Sequence, residues 1–219
     1  MRLLALLTMF LAVVSTCWAQ LGTPVTVSLA SDHEAIVAGT PFYVGLKMVH
    51  APKWHSYWTN PGTGIPTTMD WEVPAGFEIS PMISPIPEVK EDLIGNVHYF
   101  HDTIYHLFKV TPPASLAVGS EVTLAGTAGW LQCLDDRCDP PQRKALSLTL
   151  KVSDSAVENV TLKTAFHEIL DVQAKPLEAW SVALQQGDKT VTLKLTPGAG
   201  ANAEPGKIYV FEEEQLLEA

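Results

Sequence analysis

The chain is poor in cysteine, in positive charge and in long apolar runs. It has three cysteines in 219 residues, too few for the disulfide lattice that small exported domains use in place of a core. Lys and Arg number 14 against 24 Asp and Glu. That deficit argues against nucleic acid or an anionic membrane surface as a partner. Beyond the first residues no apolar run approaches the ~20 that a spanning helix needs. No Gly-rich phosphate loop and no nucleophile–base signature stands out.

What is present points to an all-β protein. Hydrophobic residues make up 47% of the chain, enough to build the core of one full domain and part of a second. Sixteen prolines and fourteen glycines break it into short segments, the spacing of a strand-and-turn fold.

The N-terminus reads as an export signal. Arg2 supplies the positive start, Leu3 to Val14 the apolar stretch, and Cys17-Trp18-Ala19 a cut before Gln20. Residues 1–19 are therefore assigned as a signal peptide. Lipid attachment at Cys17 competes, but Thr16 fits it poorly. Cleavage removes Arg2 and no acid, leaving 13 basic against 24 acidic residues, a net charge of −11.

Val25, Val27 and Leu29 alternate with polar residues, as do Phe42, Val44, Leu46 and Met48, then Met69, Trp71 and Val73. Pro81, Pro85 and Pro87 mark 80–90 as an extended connection. Val97–Phe100 and Thr103–Val110 look like paired strands. Glu121–Trp130 is a strand, and Leu146, Leu148, Leu150 and Val152 form the last one. This pattern predicts an immunoglobulin-like β-sandwich over 20–153. Leu162, Ala165, Phe166, Ile169 and Leu170 fall at helical spacing, so 154–178 is read as a linker with a helix. Trp180–Leu184, Val191–Leu195 and Ile208–Phe211 are strand-like. They make 179–219 the start of a second, truncated β unit, too small to stand alone.

Cys133 and Cys138 enclose Leu134-Asp135-Asp136-Arg137. In an oxidising compartment such a pair is expected to form a disulfide. By spacing alone it is as much a staple as a redox pair. A staple over so short a loop contributes only about 2 kcal/mol.

Three ordered motifs add to this: Trp54-His55-Ser56-Tyr57-Trp58-Thr59-Asn60-Pro61-Gly62 with Gly64-Ile65-Pro66; Glu91-Asp92-Leu93-Ile94-Gly95 with Tyr99 and Asp102; and the cysteine loop with Pro140-Pro141. Over residues 20–152 the set resembles the N-terminal periplasmic domain of the DsbD family of thiol:disulfide interchange proteins, most of all its ScsB-like, copper-sensitivity-suppressor branch. The resemblance implies a periplasmic immunoglobulin-like carrier with no cofactor beyond its own redox-active disulfide. It implies that Cys133 and Cys138 cycle between dithiol and disulfide, without ranking them. A thioredoxin-like domain or transmembrane reductase would donate electrons. Periplasmic disulfide oxidoreductases or cytochrome-maturation proteins would accept them. Glu91, Asp92 and Leu93 take the place of the family's shielding cap, with Leu93 where an aromatic is usual. Tyr57, Tyr99, Asp135, Asp136 and Pro140 are expected around the sulfurs.

Asp135, Asp136 and Asp139 crowd the pair, and nearby carboxylates disfavour a thiolate. The dithiol should then stay quiet until a partner docks. Two other readings stand beside the carrier. One is a binding module whose cysteines staple a loop. The other is a copper or zinc domain using the thiols with His55 or His101. His98, His101 and His106 do not converge on a strand, because residues three or five apart face opposite ways. Trp54, Trp58, Trp71 and Trp130 are read as core or inter-sheet packing.

Overall fold

The computed structural model describes residues 23–92, 95–173 and 180–199. The elements in chain order are β1 (Val25–Ser31), β2 (His33–Ile36), β3 (Phe42–His50), β4 (Ser56–Tyr57), β5 (Thr68–Glu72), β6 (Glu78–Ile79), β7 (Glu88–Asp92), β8 (Gly95–Phe100), β9 (Thr103–Thr111), β10 (Glu121–Trp130), β11 (Gln142–Val152), β12 (Val157–Glu158), α1 (Val160–Asp171), β13 (Trp180–Gln186) and β14 (Val191–Pro197).

Two sheets face each other, ordered β1-β3-β9-β6 and β12-β2-β11-β10-β5. The alternation in sequence decides which side chains lie between them. Val25, Val27, Phe42, Val44, Leu46 and Met48 from the first sheet are buried against Val122, Leu124, Ala128, Trp130, Leu150 and Val152 of the second. Trp71 meets Phe108 edge-on, with ring centroids 5.1 Å apart. The result is an all-β, immunoglobulin-like sandwich. The chain changes sheets at Asp32, whose carboxylate accepts the Tyr43 N–H at 2.9 Å and meets His33 Nδ1 at 2.7 Å.

One pairing differs from the sequence reading. β8 and β9 are consecutive but not partners. β9 lies between β3 and β6, whereas β8 lies between β4 and β7 in a separate three-stranded sheet. Asp102 between them has φ +58°. Its carbonyl accepts both the backbone N–H of His50 and a bond to His50 Nδ1, at 2.9 and 2.7 Å. That anchored corner turns the chain from one sheet into another, so sequence proximity does not become a hairpin. The three-stranded sheet closes one end of the sandwich.

α1 is seated on the outer face of the first sheet. Asn159 caps it, its side chain accepting the Leu162 N–H at 3.1 Å. Phe166 is 1% exposed and meets Tyr105 edge-on at 5.3 Å. Gly45 makes the seat, since a Cβ there would stand 2.7 Å from the Phe166 ring. Asn159 N–H to the Asp32 carbonyl, 2.8 Å, and Gln173 to the Ser84 carbonyl, 2.9 Å, fasten the two ends. β13 and β14 pair with each other, and Val182, Leu184 and Val191 on them are exposed. The strand expected at Ile208–Phe211, like the signal peptide at 1–19, lies outside the described residues.

His106 sits on the inner face of β9, wholly buried, with Nδ1 3.0 Å from Ser84 Oγ and its ring against Phe100 at 5.2 Å. Burial drives its pKa down to about 3, and nearby His50 pushes the same way. Burial also lowers the pKa of His50 and His55. The unfolded chain therefore takes up protons below about pH 6.5 that the folded chain refuses.

Two outcomes follow from this packing. Phe166→Ala should cost about 3–5 kcal/mol in urea unfolding and expose α1 to limited proteolysis. Stability of the parent chain should fall by on the order of 1 kcal/mol per pH unit or more between about pH 6.5 and pH 4. His106→Leu should make that slope shallower by one proton.

Candidate functional site

The cysteine loop is a tight hairpin that carries the β10–β11 ladder past its sheet. Leu134 N–H bonds the Arg137 carbonyl at 2.8 Å, and Asp139 N–H bonds the Gln132 carbonyl at 3.0 Å. Cys133 and Cys138 fall between these two bonded pairs, at the narrow, non-bonded position where side chains approach most closely. Their Cα atoms are 4.0 Å apart and a disulfide joins them. Pro140 and Pro141 lack the N–H groups that would continue the ladder, so the register slips there before β11 begins. Gln132 locks the base: it accepts from Trp130 Nε1 at 3.1 Å and donates to Asp139 at 2.8 Å.

A second ladder lies on the other side of Cys133. His55 and Cys133 exchange both backbone bonds, at 2.9 and 3.0 Å. This joins the segment leading into β4 to the cysteine hairpin. β4 in turn pairs with β8 through Ser56–Phe100 and Tyr57–Tyr99. Cys133 thus lies within a small apolar cluster of Tyr57, Val97 and Leu131, with Tyr99 at its edge. Gly64, at φ +110°, passes against the Tyr57 ring, where a Cβ would come within 2.7 Å. That close approach accounts for the glycine of the Gly64-Ile65-Pro66 motif.

The two sulfurs have unequal surroundings. Cys133 is 1% exposed. Cys138 is exposed and opens into a cleft of about 590 Å³. Tyr57, Tyr99, Asp135 and Asp136 line this cleft, as do Lys53, Trp54, His55, Lys90, His101 and Arg137. Arg137 lies over the Trp54 ring, 5.9 Å from its centroid. Pro140 and Glu91 are exposed and outside the lining. Glu91 and Asp92 end β7, while Leu93 falls outside the described residues.

The electrostatics differ from a bare ring of acids. Asp135 is held by Lys90 Nζ at 2.9 Å. That bond, then the charge of Lys90, lowers the Asp135 pKa. Asp139 is engaged by Gln132. Tyr99 donates to Glu88 at 3.1 Å, and its pKa is raised by burial and then by that bond. Burial lowers the pKa of His55, with Asp135 opposing and Lys90 assisting.

The histidines lie in separate surroundings. His98 meets Trp58 edge-on at 5.6 Å, His101 pairs with Glu88 and Asp102 at 3.0 and 3.2 Å, and His106 is in the core. Trp71 and Trp130 pack between the sheets, while Trp54 and Trp58 belong to the end sheet and its cleft. Sequence reading missed Lys90 and Lys53 as cleft residues. Nothing local flags Lys90, whose partner Asp135 is distant along the chain.

A β-sandwich with a disulfide at the mouth of an end cleft defines a class of thiol-bearing domains. The family model described as "Thiol:disulfide interchange protein DsbD, N-terminal" matches residues 26–150. The chain belongs to this family, and this part of it is a thiol–disulfide interchange domain. Among solved structures, it is similar to the N-terminal periplasmic domain of ScsB from Proteus mirabilis at 16% identity and a TM-score of 0.55, covering 80% of this chain and 65% of that one. The chain therefore spans about 65% of that domain's length. The Neisseria meningitidis DsbD N-terminal domain in its reduced form matches with 14% identity and a TM-score of 0.35, over 60% of this chain and 88% of that one. No curated protein matches. Among the described residues no helix is long and apolar enough to cross a membrane.

The Lys90–Asp135 contact ties the β7–β8 hairpin to the cysteine hairpin across the cleft. Lys90→Glu should replace it with repulsion and raise the rate of disulfide reduction by dithiothreitol several-fold at low salt. High salt should narrow the difference, because this exposed pair is screened. Equal rates for parent and variant at low salt would show that the contact does not guard the sulfurs.

Proposed function

We propose that the domain is a periplasmic thiol–disulfide exchange carrier in which Cys138 receives the attack and Cys133 is released. The observation that supports it best is the asymmetry of the disulfide, with Cys138 open to the cleft and Cys133 1% exposed. Exchange needs a thiolate to reach one sulfur in line with the S–S bond. Only Cys138 offers that approach without unfolding the end sheet. A partner thiolate bonds to Cys138 Sγ as the Cys138–Cys133 bond breaks, and the electron pair stays on Cys133 Sγ. A second thiol of the partner then displaces Cys138. The partner leaves oxidised by two electrons and the domain is a dithiol.

In this reading a thioredoxin-like domain or transmembrane reductase is the donor, and periplasmic disulfide oxidoreductases are the acceptors. Acceptors serving copper tolerance or cytochrome maturation fit the same chemistry. The disulfide is the sole redox group and no further cofactor is used. Residues 1–19 direct export, 20–153 form the redox domain, 154–178 connect, and 179–219 belong to a second β unit. The cap role of Glu91, Asp92 and Leu93 rests on the family resemblance alone. Tyr57, Tyr99, Asp135 and Asp136 shape the cleft, and Pro140 ends the cysteine ladder.

Single-cysteine variants test the assignment. Cys133→Ser should trap a mixed disulfide between Cys138 and a thioredoxin-like partner, and Cys138→Ser should trap little. The reverse pattern would overturn the order of attack. A reduction potential below about −300 mV, with no exchange, would sink the carrier reading in favour of a structural staple.

A further inference from the structure

The cleft contains a titratable side chain that the exchange steps above leave without a role. We infer that His55 is the positioning residue that compensates the negative charge left on Cys133 when the disulfide opens. This rests on the exchange reading, since it concerns the sulfur released there.

The geometry comes from the backbone. His55 and Cys133 form a hydrogen-bonded antiparallel pair, with both bonds near 3 Å. Directly opposed residues of such a pair project to the same face, their Cβ atoms about 5 Å apart. Cys138 opposes Cys133 from the other side. The three residues therefore stand in one row, imidazole, buried sulfur and exposed sulfur. The ring is fixed in place. It meets Tyr57 and Tyr99 edge-on, each at 5.4 Å, and Nε2 lies 3.3 Å from the Tyr57 hydroxyl. Tyr57 itself packs in the apolar cluster around Cys133.

The chemistry supplies the need. A thiolate at a position 1% exposed has little water to solvate it and requires a nearby positive charge. The charged and titratable groups facing the His55 ring are Lys53, Tyr57, Tyr99, Lys90, Asp135 and Cys133, with His50 within electrostatic reach. Lys90 and Asp135 are committed to each other. Of the histidines in reach, His50 is engaged by the Asp102 carbonyl and Ser56, and His101 by Glu88 and Asp102, so His55, directly opposite Cys133, is the one placed to change charge beside the sulfur near neutral pH. In the disulfide form the ring is neutral, because burial holds its pKa below the usual value. When the Cys133–Cys138 bond breaks, the electron pair stays on Cys133 Sγ and the imidazole takes up one proton from the bulk solvent pool. The pair becomes thiolate and imidazolium. When Cys133 later re-attacks Cys138 Sγ in the mixed disulfide, the imidazolium returns that proton to solvent.

The test uses the chemically reduced chain and no partner, so it stands or falls separately from the exchange assay. In a Cys138→Ser background, the Cys133 thiol is titrated by its thiolate absorbance, with His55 and with His55→Asn. The thiolate population at neutral pH should be about tenfold higher with His55, a shift of about one pKa unit. Identical titrations would overturn the inference. NMR of the His55 ring in the otherwise unaltered chain gives a second reading that needs no folded variant. Its pKa should rise on reduction of the disulfide, and an unchanged pKa would also overturn the inference.

Discussion

The two-way backbone bond between His55 and Cys133 is the constraint on which the site depends. It joins the cysteine hairpin, which belongs to the β10–β11 ladder, to the small sheet of β4, β8 and β7. Without it Cys133 would sit on the edge of a projecting loop, with its sulfur as open as that of Cys138. With it, Cys133 becomes the central member of a three-residue row and is covered by Tyr57 and Val97. A ladder bond contributes only about 1 kcal/mol by itself. Its effect here is geometric: it decides which sulfur is enclosed.

That asymmetry is sustained by surrounding elements that have little else in common. Asp102 turns the chain so that β8 leaves the main sandwich and can cover the end. Gly64 lets its loop lie against the Tyr57 ring. Gln132 holds the base of the hairpin between Trp130 and Asp139. Each contact acts on the placement of Cys133, and none of these residues needs to touch a substrate. A domain whose reactive group is a single S–S bond can control chemistry in this way, through access and local charge.

Much of the sandwich was legible because its strands are half-buried and alternate with period two. Val25, Val27, Phe42, Val44, Leu46 and Met48 lie inward as that period requires. The cysteine pair was legible as a disulfide from compartment and spacing, and its family context from the ordered motifs around it. The pairing of β8 was not. Sequence neighbours pair often, and the corner at Asp102 is set by His50, far back in the chain. The packing of α1 was equally hidden: helical spacing identifies the helix, but its seat at Gly45 and Tyr105 is a tertiary match. Lys90 and Asp135 meet only because the two hairpins converge over the cleft.

The acidic loop illustrates how that convergence alters a sequence-level argument. Three aspartates around two cysteines suggest a field that opposes thiolate formation. In the folded chain Asp135 is exposed and paired with Lys90, and Asp139 is bonded to Gln132 at the loop base. An exposed, paired carboxylate acts on a neighbouring sulfur through water and beside a compensating cation, so its influence is weak. Burial of Cys133 acts without such screening, and so does any charge held by the ring opposite it. The reactivity of the pair is therefore governed more by enclosure and by His55 than by the number of acids in the loop. The same reasoning gives Lys90 two effects: neutralising Asp135 and drawing the β7–β8 hairpin toward the exposed sulfur.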